Sequence, residues 1–184
     1  MDKQHRHKTN NEIAAIDEKT LKISQNGEIN AIHMVSVWAN KNQLVSGQVK
    51  TGEKSNEITA IPTSLELLDL RGCIVTIDAM GCQKEIAKKI VEQEADYVFG
   101  LKGNQNSLYE DVCLYFETGN VENRKVINGK GHGRFERRAH FLEADVEWLS
   151  QKFDWSGLNA VGMVGSTVEE KGKITEETLF LLRR

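Results

Sequence analysis

Two aspartates carry the chemistry this sequence can do. Asp78 follows Cys73-Ile74-Val75-Thr76-Ile77, a short β-branched run bounded by Gly72 and Gly81, and Asp17 follows Ile13-Ala14-Ala15-Ile16. Each run reads as a buried strand that ends on a carboxylate. Taken singly, a strand-ending aspartate more often caps a helix or forms a turn. Brought to one rim, however, two unpaired carboxylates repel, and one pKa rises unless a cation intervenes. A hard divalent cation with oxygen ligands is the natural partner. Two such ions about 3.5–4 Å apart can activate a water or hydroxyl and stabilise the leaving oxygen of a phosphodiester.

The elements that must position these carboxylates follow from patterning. Glu12 to Asp17 reads as the first strand. Asn26-Gly27 is a turn signal, Ile29 to Ala39 is apolar on both alternating faces, and Leu44 to Lys50 completes an antiparallel meander. A helix is predicted at about Pro62 to Asp69, because proline is tolerated in a first turn. Gln83 to Glu94 is amphipathic, with Ile86, Ala87, Ile90 and Val91 on one face. Asp96 to Leu101 reads as a strand and Ser107 to Phe116 as a helix. The order is then βββαβαβα, which a mixed sheet satisfies when the first strand neighbours the Asp78 strand. Beyond it, Thr118 to Gly133 reads as a polar loop. Arg134 to Ala144 reads as a strand, Val146 to Phe153 as a short helix, and Leu158 to Val168 and Thr175 to Leu182 as strands joined by a hairpin.

Other candidate motifs are weaker. Gly129-Lys130-Gly131-His132-Gly133 has the glycines of a phosphate loop without its G-x-x-x-x-G-K-[ST] spacing. Ser46-Gly47 and Gly165-Ser166 lack the flanks of a nucleophile elbow. His5 and His7 have metal-ligand types but lie in a polar stretch, residues 1–11, expected to be a disordered tail. His33 is expected to be a core histidine. Cys73, Cys82 and Cys113 are odd in number and lack C-x-x-C spacing, which supports neither a disulfide framework nor a zinc site. Lys102, Arg134, Arg137 and Arg138 could contact phosphates, with Lys102 at a strand end on the rim of the two aspartates.

Composition bounds the class. The 184 residues suffice for one domain with a real core, and no apolar run approaches the ~20 residues that span a bilayer. With a polar N-terminus and no signal segment, a cytoplasmic location is expected and no membrane partner. A net charge of -3 gives no global footprint for nucleic acid, although a local basic patch remains open.

Longer motifs go beyond general patterning. Ala15-Ile16-Asp17-x-Lys19-Thr20-Leu21, Ala31-Ile32-His33-Met34-Val35-Ser36, Glu53-Lys54-Ser55-Asn56-Glu57-Ile58, Thr76-Ile77-Asp78-Ala79-Met80-Gly81-Cys82-Gln83, Leu101-Lys102-Gly103-Asn104-Gln105 and Gly131-His132-Gly133-Arg134-x-Glu136-x-Arg138 together resemble the DDE transposases of bacterial insertion sequences, in the branch that includes the H-repeat-associated proteins. The resemblance covers about residues 13–158. It implies an RNase H-like fold over residues 12–184 with a partial β-rich insertion, and Mg²⁺- or Mn²⁺-dependent DNA cleavage and strand transfer. It also implies Asp17 and Asp78 as the first two acids of the triad and as metal ligands. Element ends and target DNA are the implied partners, and Lys102, Arg134 and Arg138, read as basic residues available for phosphates, are the DNA contacts expected; self-association stays open.

Two departures qualify that reading. Glu18 stands where the family usually has glycine, which permits closer backbone approach. The third acid of this branch is expected on a helix that the resemblance places beyond Arg184. Glu136 is the candidate substitute, although the resemblance puts it on the entry strand of the insertion. The expected function is therefore transposase chemistry, incomplete in this chain, with a non-catalytic remnant that folds and binds metal or DNA weakly as the alternative.

Overall fold

The computed structural model describes the backbone of residues 12–25, 28–39, 44–50, 57–119, 121–131 and 133–184 and, within those ranges, the side chains of 12–16 and 61–184. The tail expected at 1–11 and the side chain of His33 lie outside the described residues. Contacts divide the chain into two units, residues 1–98 and 99–184.

In the first unit, β1 (Glu12–Gln25) and β2 (Glu28–Ala39) form a long antiparallel pair, and β3 (Leu44–Lys50) pairs antiparallel with β2. On the other side of β1 lies β4 (Cys73–Ile77), parallel to it. The strand β5 (Asp96–Leu101), which opens in this unit, follows β4 in an order β3-β2-β1-β4-β5. This is the RNase H-like arrangement that the sequence implied.

The first helix differs from expectation. It is α1 (Glu57–Glu66), so Pro62 lies inside it rather than in its first turn. An interior proline removes a backbone donor and costs helix stability. The compensating gain is burial of Ile61 and Leu65, one helical turn apart and both at most 1% exposed. The second helix, α2 (Lys84–Glu92), buries Ile86, Ala87 and Ile90 as its periodicity requires. Gln93 at its end donates from Nε2 to the Leu65 carbonyl at 3.1 Å, satisfying an acceptor at the end of α1.

The second unit contains α3 (Asn106–Thr118) and four antiparallel strands, β6 (Arg124–Gly131), β7 (Arg134–Glu143), β8 (Ala160–Glu170) and β9 (Lys173–Arg183), in the order β9-β8-β7-β6. Their hairpin ends, Gly131↔Arg134 and Glu170↔Lys173, lie at one end of this sheet, joined through the rung Arg134↔Glu170. At Lys171-Gly172 both residues have positive φ, 51° and 76°, as a two-residue type I′ hairpin demands. At the opposite end Ala139, Ala160, Val161, Phe180 and Leu182 are buried, and Phe180 meets Tyr109 of α3 edge-on at 5.6 Å.

Two further expectations are corrected here. The stretch read as a loop at 118–133 contains β6, every residue of which is exposed, so no burial pattern marks it as a strand. The helix expected at 146–153 is a chain of tight turns ending in a 3₁₀ turn, Lys152–Asp154. Leu149, Lys152, Trp155 and Leu158 each donate a backbone N–H to the carbonyl three residues earlier. That spacing buries Val146, Leu149, Trp155 and Leu158 at multiples of three, which mimics a helical period in the sequence.

Candidate functional site

The parallel ladder between β1 and β4 runs from Glu12↔Cys73 to Ile16↔Ile77 and stops there. Asp17 and Asp78 are the next residues on these two neighbouring strands, whose axes lie about 4.8 Å apart. One detail departs from expectation. Asp17 does not end its strand, because β1 continues to Gln25 along β2, where Asp17 pairs with Ser36. Asp17 instead marks the point at which the parallel ladder ends, and its backbone is held by β2 alone from there.

Local chemistry explains the turn at Asp78. Ala14, Ile16, Val75 and Ile77 are buried, so both strands are fixed in the core up to the last parallel rung. The exposed Asp78 then accepts the Met80 N–H at 3.0 Å through Oδ1, an Asx turn that bends the chain out of the strand. Ala79, Gly81 and Cys82 fold back into the core before α2 begins. Gly81 is required by contact. A Cβ there would lie 2.3 Å from Ile77 Cγ2 and 2.8 Å from Ile61 Cδ1. The glycine therefore lets α1 close over the end of β4, immediately behind Asp78. Nothing in the sequence periodicity signalled that role, beyond the presence of glycine three residues after the aspartate.

Burial pushes the Cys82 thiol up to about 12, so this cysteine, four residues after Asp78 in the chain, is a protonated core group. Among the described residues no group of three His, Cys, Asp or Glu side chains could hold a metal ion. The Asp17 side chain is not among them.

The remaining candidates lie in the second unit. Lys102 is exposed and directly follows β5, as expected. Arg134, Glu136 and Arg138 occupy alternate positions of β7 and so share one face, while Arg137 is on the other. Glu136, 24% exposed, faces both guanidiniums: Oε1 lies 2.5 Å from Arg138 Nε and Oε2 lies 3.4 Å from Arg134 Nη2. The Arg138 contact is a charge pair and not an aligned hydrogen bond, since Oε1 has no partner of hydrogen-bonding geometry. The R-x-E-x-R spacing could have disclosed this row only with Arg134–Glu143 already known to be extended. No helix among the described residues is long and apolar enough to cross a membrane.

The model of the transposase DDE domain family matches residues 8–163. A protein of Xanthobacter autotrophicus named "Uncharacterized protein in dhlA 3'region" is 42% identical over 167 residues, 89% of this chain and 57% of the relative. The "H repeat-associated putative transposase YhhI" of Escherichia coli K12 is 42% identical over 178 residues, 91% of this chain and 47% of the relative. The chain thus spans about half the length of the curated relatives it matches. Among solved structures, a piggyBac transposase synaptic complex with hairpin DNA aligns with a TM-score of 0.48 at 14% identity, over 95% of this chain and 33% of that one.

Proposed function

The chain belongs to the DDE transposase family, and from that premise we propose that its first unit carries two acids, Asp17 and Asp78, of a metal-dependent centre for DNA cleavage and strand transfer. The observation that supports this reading is the register Ile16↔Ile77, after which the two aspartates stand on adjacent parallel strands. The donors are carboxylate oxygens, and Asp78 is exposed with one oxygen anchored by the Met80 N–H, a set suited to Mg²⁺ or Mn²⁺. When bound, such ions activate the attacking oxygen and stabilise the leaving oxygen of a phosphodiester. The protein's own contribution is rigidity: the buried end of β4 and the Asx turn fix where the Asp78 carboxylate stands.

DNA is the proposed partner, both as element ends and as target, with Lys102, Arg134 and Arg138 on its phosphates. Glu136, paired with two guanidiniums, we assign to those arginines and not to the metal. The test is thermal unfolding with and without Mn²⁺. Selective binding to the folded chain should stabilise it by about 2.7 kcal/mol at 100 times the Kd. Asp17→Asn and Asp78→Asn should each abolish the gain, and a shift that survives both substitutions places the ion elsewhere.

A further inference from the structure

The second unit offers a surface that the aspartates do not use. In β6 and β7, cross-strand partners share a face, so Gly131 stands beside Arg134, Gly129 beside Glu136, and Ile127 beside Arg138. The arginine row is therefore flanked on its β6 side by a strip without side chains at two of three positions. A Cβ added at Gly129 or Gly131 meets no heavy atom within 4 Å, so the space above the strip is open. Neither glycine has positive φ, so backbone conformation alone does not demand glycine at either position.

We propose that this strip and row form a trough for the phosphodiester backbone of duplex DNA, with Gly129 and Gly131 as its floor and the guanidiniums of Arg134 and Arg138 as its wall. The proposal rests on the reading of DNA as partner and adds where the second unit holds it. Arg134 and Arg138 stand four residues apart, about 14 Å along a strand at about 3.4 Å per residue, so the two guanidiniums reach different phosphates of one DNA strand. Absence of a Cβ lets a phosphate approach the strand closely, and each guanidinium supplies planar donors for it. Glu136 is the positioning residue: its carboxylate accepts from Arg134 Nη2 at 3.4 Å and forms a charge pair with Arg138 Nε, which ties both guanidiniums to the row beside the strip. Beyond β7 the same face carries charges of both signs, Glu170 and Lys173 through the rungs Arg134↔Glu170 and Glu170↔Lys173, and Glu177 through Arg138↔Ser166 and Ser166↔Glu177, so the cationic row next to an open strip is particular to the β6–β7 half.

The experiment measures binding of the 184-residue chain to a fluorescein-labelled duplex by anisotropy at several salt concentrations. Gly129→Val combined with Gly131→Val should weaken binding at least tenfold without lowering the melting temperature, because valine suits an exposed strand. Asn128→Val, on the same strand but the opposite face, should leave affinity unchanged. Arg134→Gln with Arg138→Gln should make the salt slope shallower by about 1.8, at about 0.9 per phosphate contact. Glu136→Gln, which keeps an acceptor but not the charge, should change affinity and salt slope while leaving the melting temperature near the parent value. If the parent chain binds duplex DNA and the glycine variant binds equally well, the trough is overturned and the DNA reading stands. If the parent chain does not bind duplex DNA, both fall. Equal affinity for anionic lipid vesicles, with the same response to the variants, would indicate a general polyanion surface and overturn the DNA assignment.

Discussion

Gly81→Ala probes the packing that supports Asp78. The new methyl would sit 2.3 Å from Ile77 Cγ2 and 2.8 Å from Ile61 Cδ1, against the ~3.5–4.0 Å at which carbon atoms attract. Ile77 is 5% exposed and Ile61 is 1% exposed, so neither can swing into solvent to make room. Overpacking of this kind costs about 1–3 kcal/mol, offset by about 0.4–1 kcal/mol because alanine restricts the unfolded chain. The difference is about 0–2.6 kcal/mol, and because both contacts fall below 3.0 Å the upper part of that range is expected, about 1–2.6 kcal/mol or about 2–10 °C in Tm for a chain of this size. The assay is urea unfolding followed by circular dichroism, in which the midpoint should fall while the slope stays constant. Ile61→Val removes the Cδ1 that the new methyl meets, so the double variant should recover at least about 0.5 kcal/mol relative to the sum of the single ones. A Gly81→Ala midpoint equal to the parent's, or strict additivity in the cycle, would mean that contact with Ile77 and Ile61 does not require glycine at this position.

Three other outcomes are expected. The Cys82 thiol, raised to about 12 by burial, should resist alkylation in the folded chain at pH 8.5 and react only on unfolding, as mass spectrometry of iodoacetamide-treated protein would show. Tyr115 donates to Glu143 Oε2 at 2.5 Å and stacks on Trp148 at 4.3 Å; Tyr115→Phe should cost about 1–2 kcal/mol at pH 7, read from urea midpoints. The Tyr115 hydroxyl is pushed up to about 12, first by that hydrogen bond and then by burial, so its contribution is complete below about pH 10 and lost as pH rises towards 12. Alkaline titration of the unfolding midpoint should accordingly be shallower in Tyr115→Phe than in the parent.

What could be read from the sequence tracks burial. The strands Leu44–Lys50, Cys73–Ile77 and Asp96–Leu101 have the bounds their apolar runs predict. Where the sheet buries nothing, as along Arg124–Gly131, only the hydrogen-bond ladder with β7 defines the strand, and ladders leave no trace in hydropathy. The turns at 146–158 failed for the opposite reason, since burial every third residue copies part of a helical period. Register was legible only in outcome. Topology predicted that Asp17 and Asp78 would be neighbours, but not that β1 would continue past Asp17, because that continuation depends on the length of its pairing with β2. Gly81 and the Glu136 pairing depend on three-dimensional contacts, to which sequence spacing is blind.

Asp17 and Asp78 are proposed to share a divalent ion. The most direct test is anomalous diffraction from a crystal of the chain grown with Mn²⁺. Manganese density is expected bound by oxygens of both carboxylates, at the short distances of about 2 Å typical of small hard cations. Carboxylates more than about 8 Å apart, beyond the reach of two bridged ions, or manganese bound only at other residues, would contradict it.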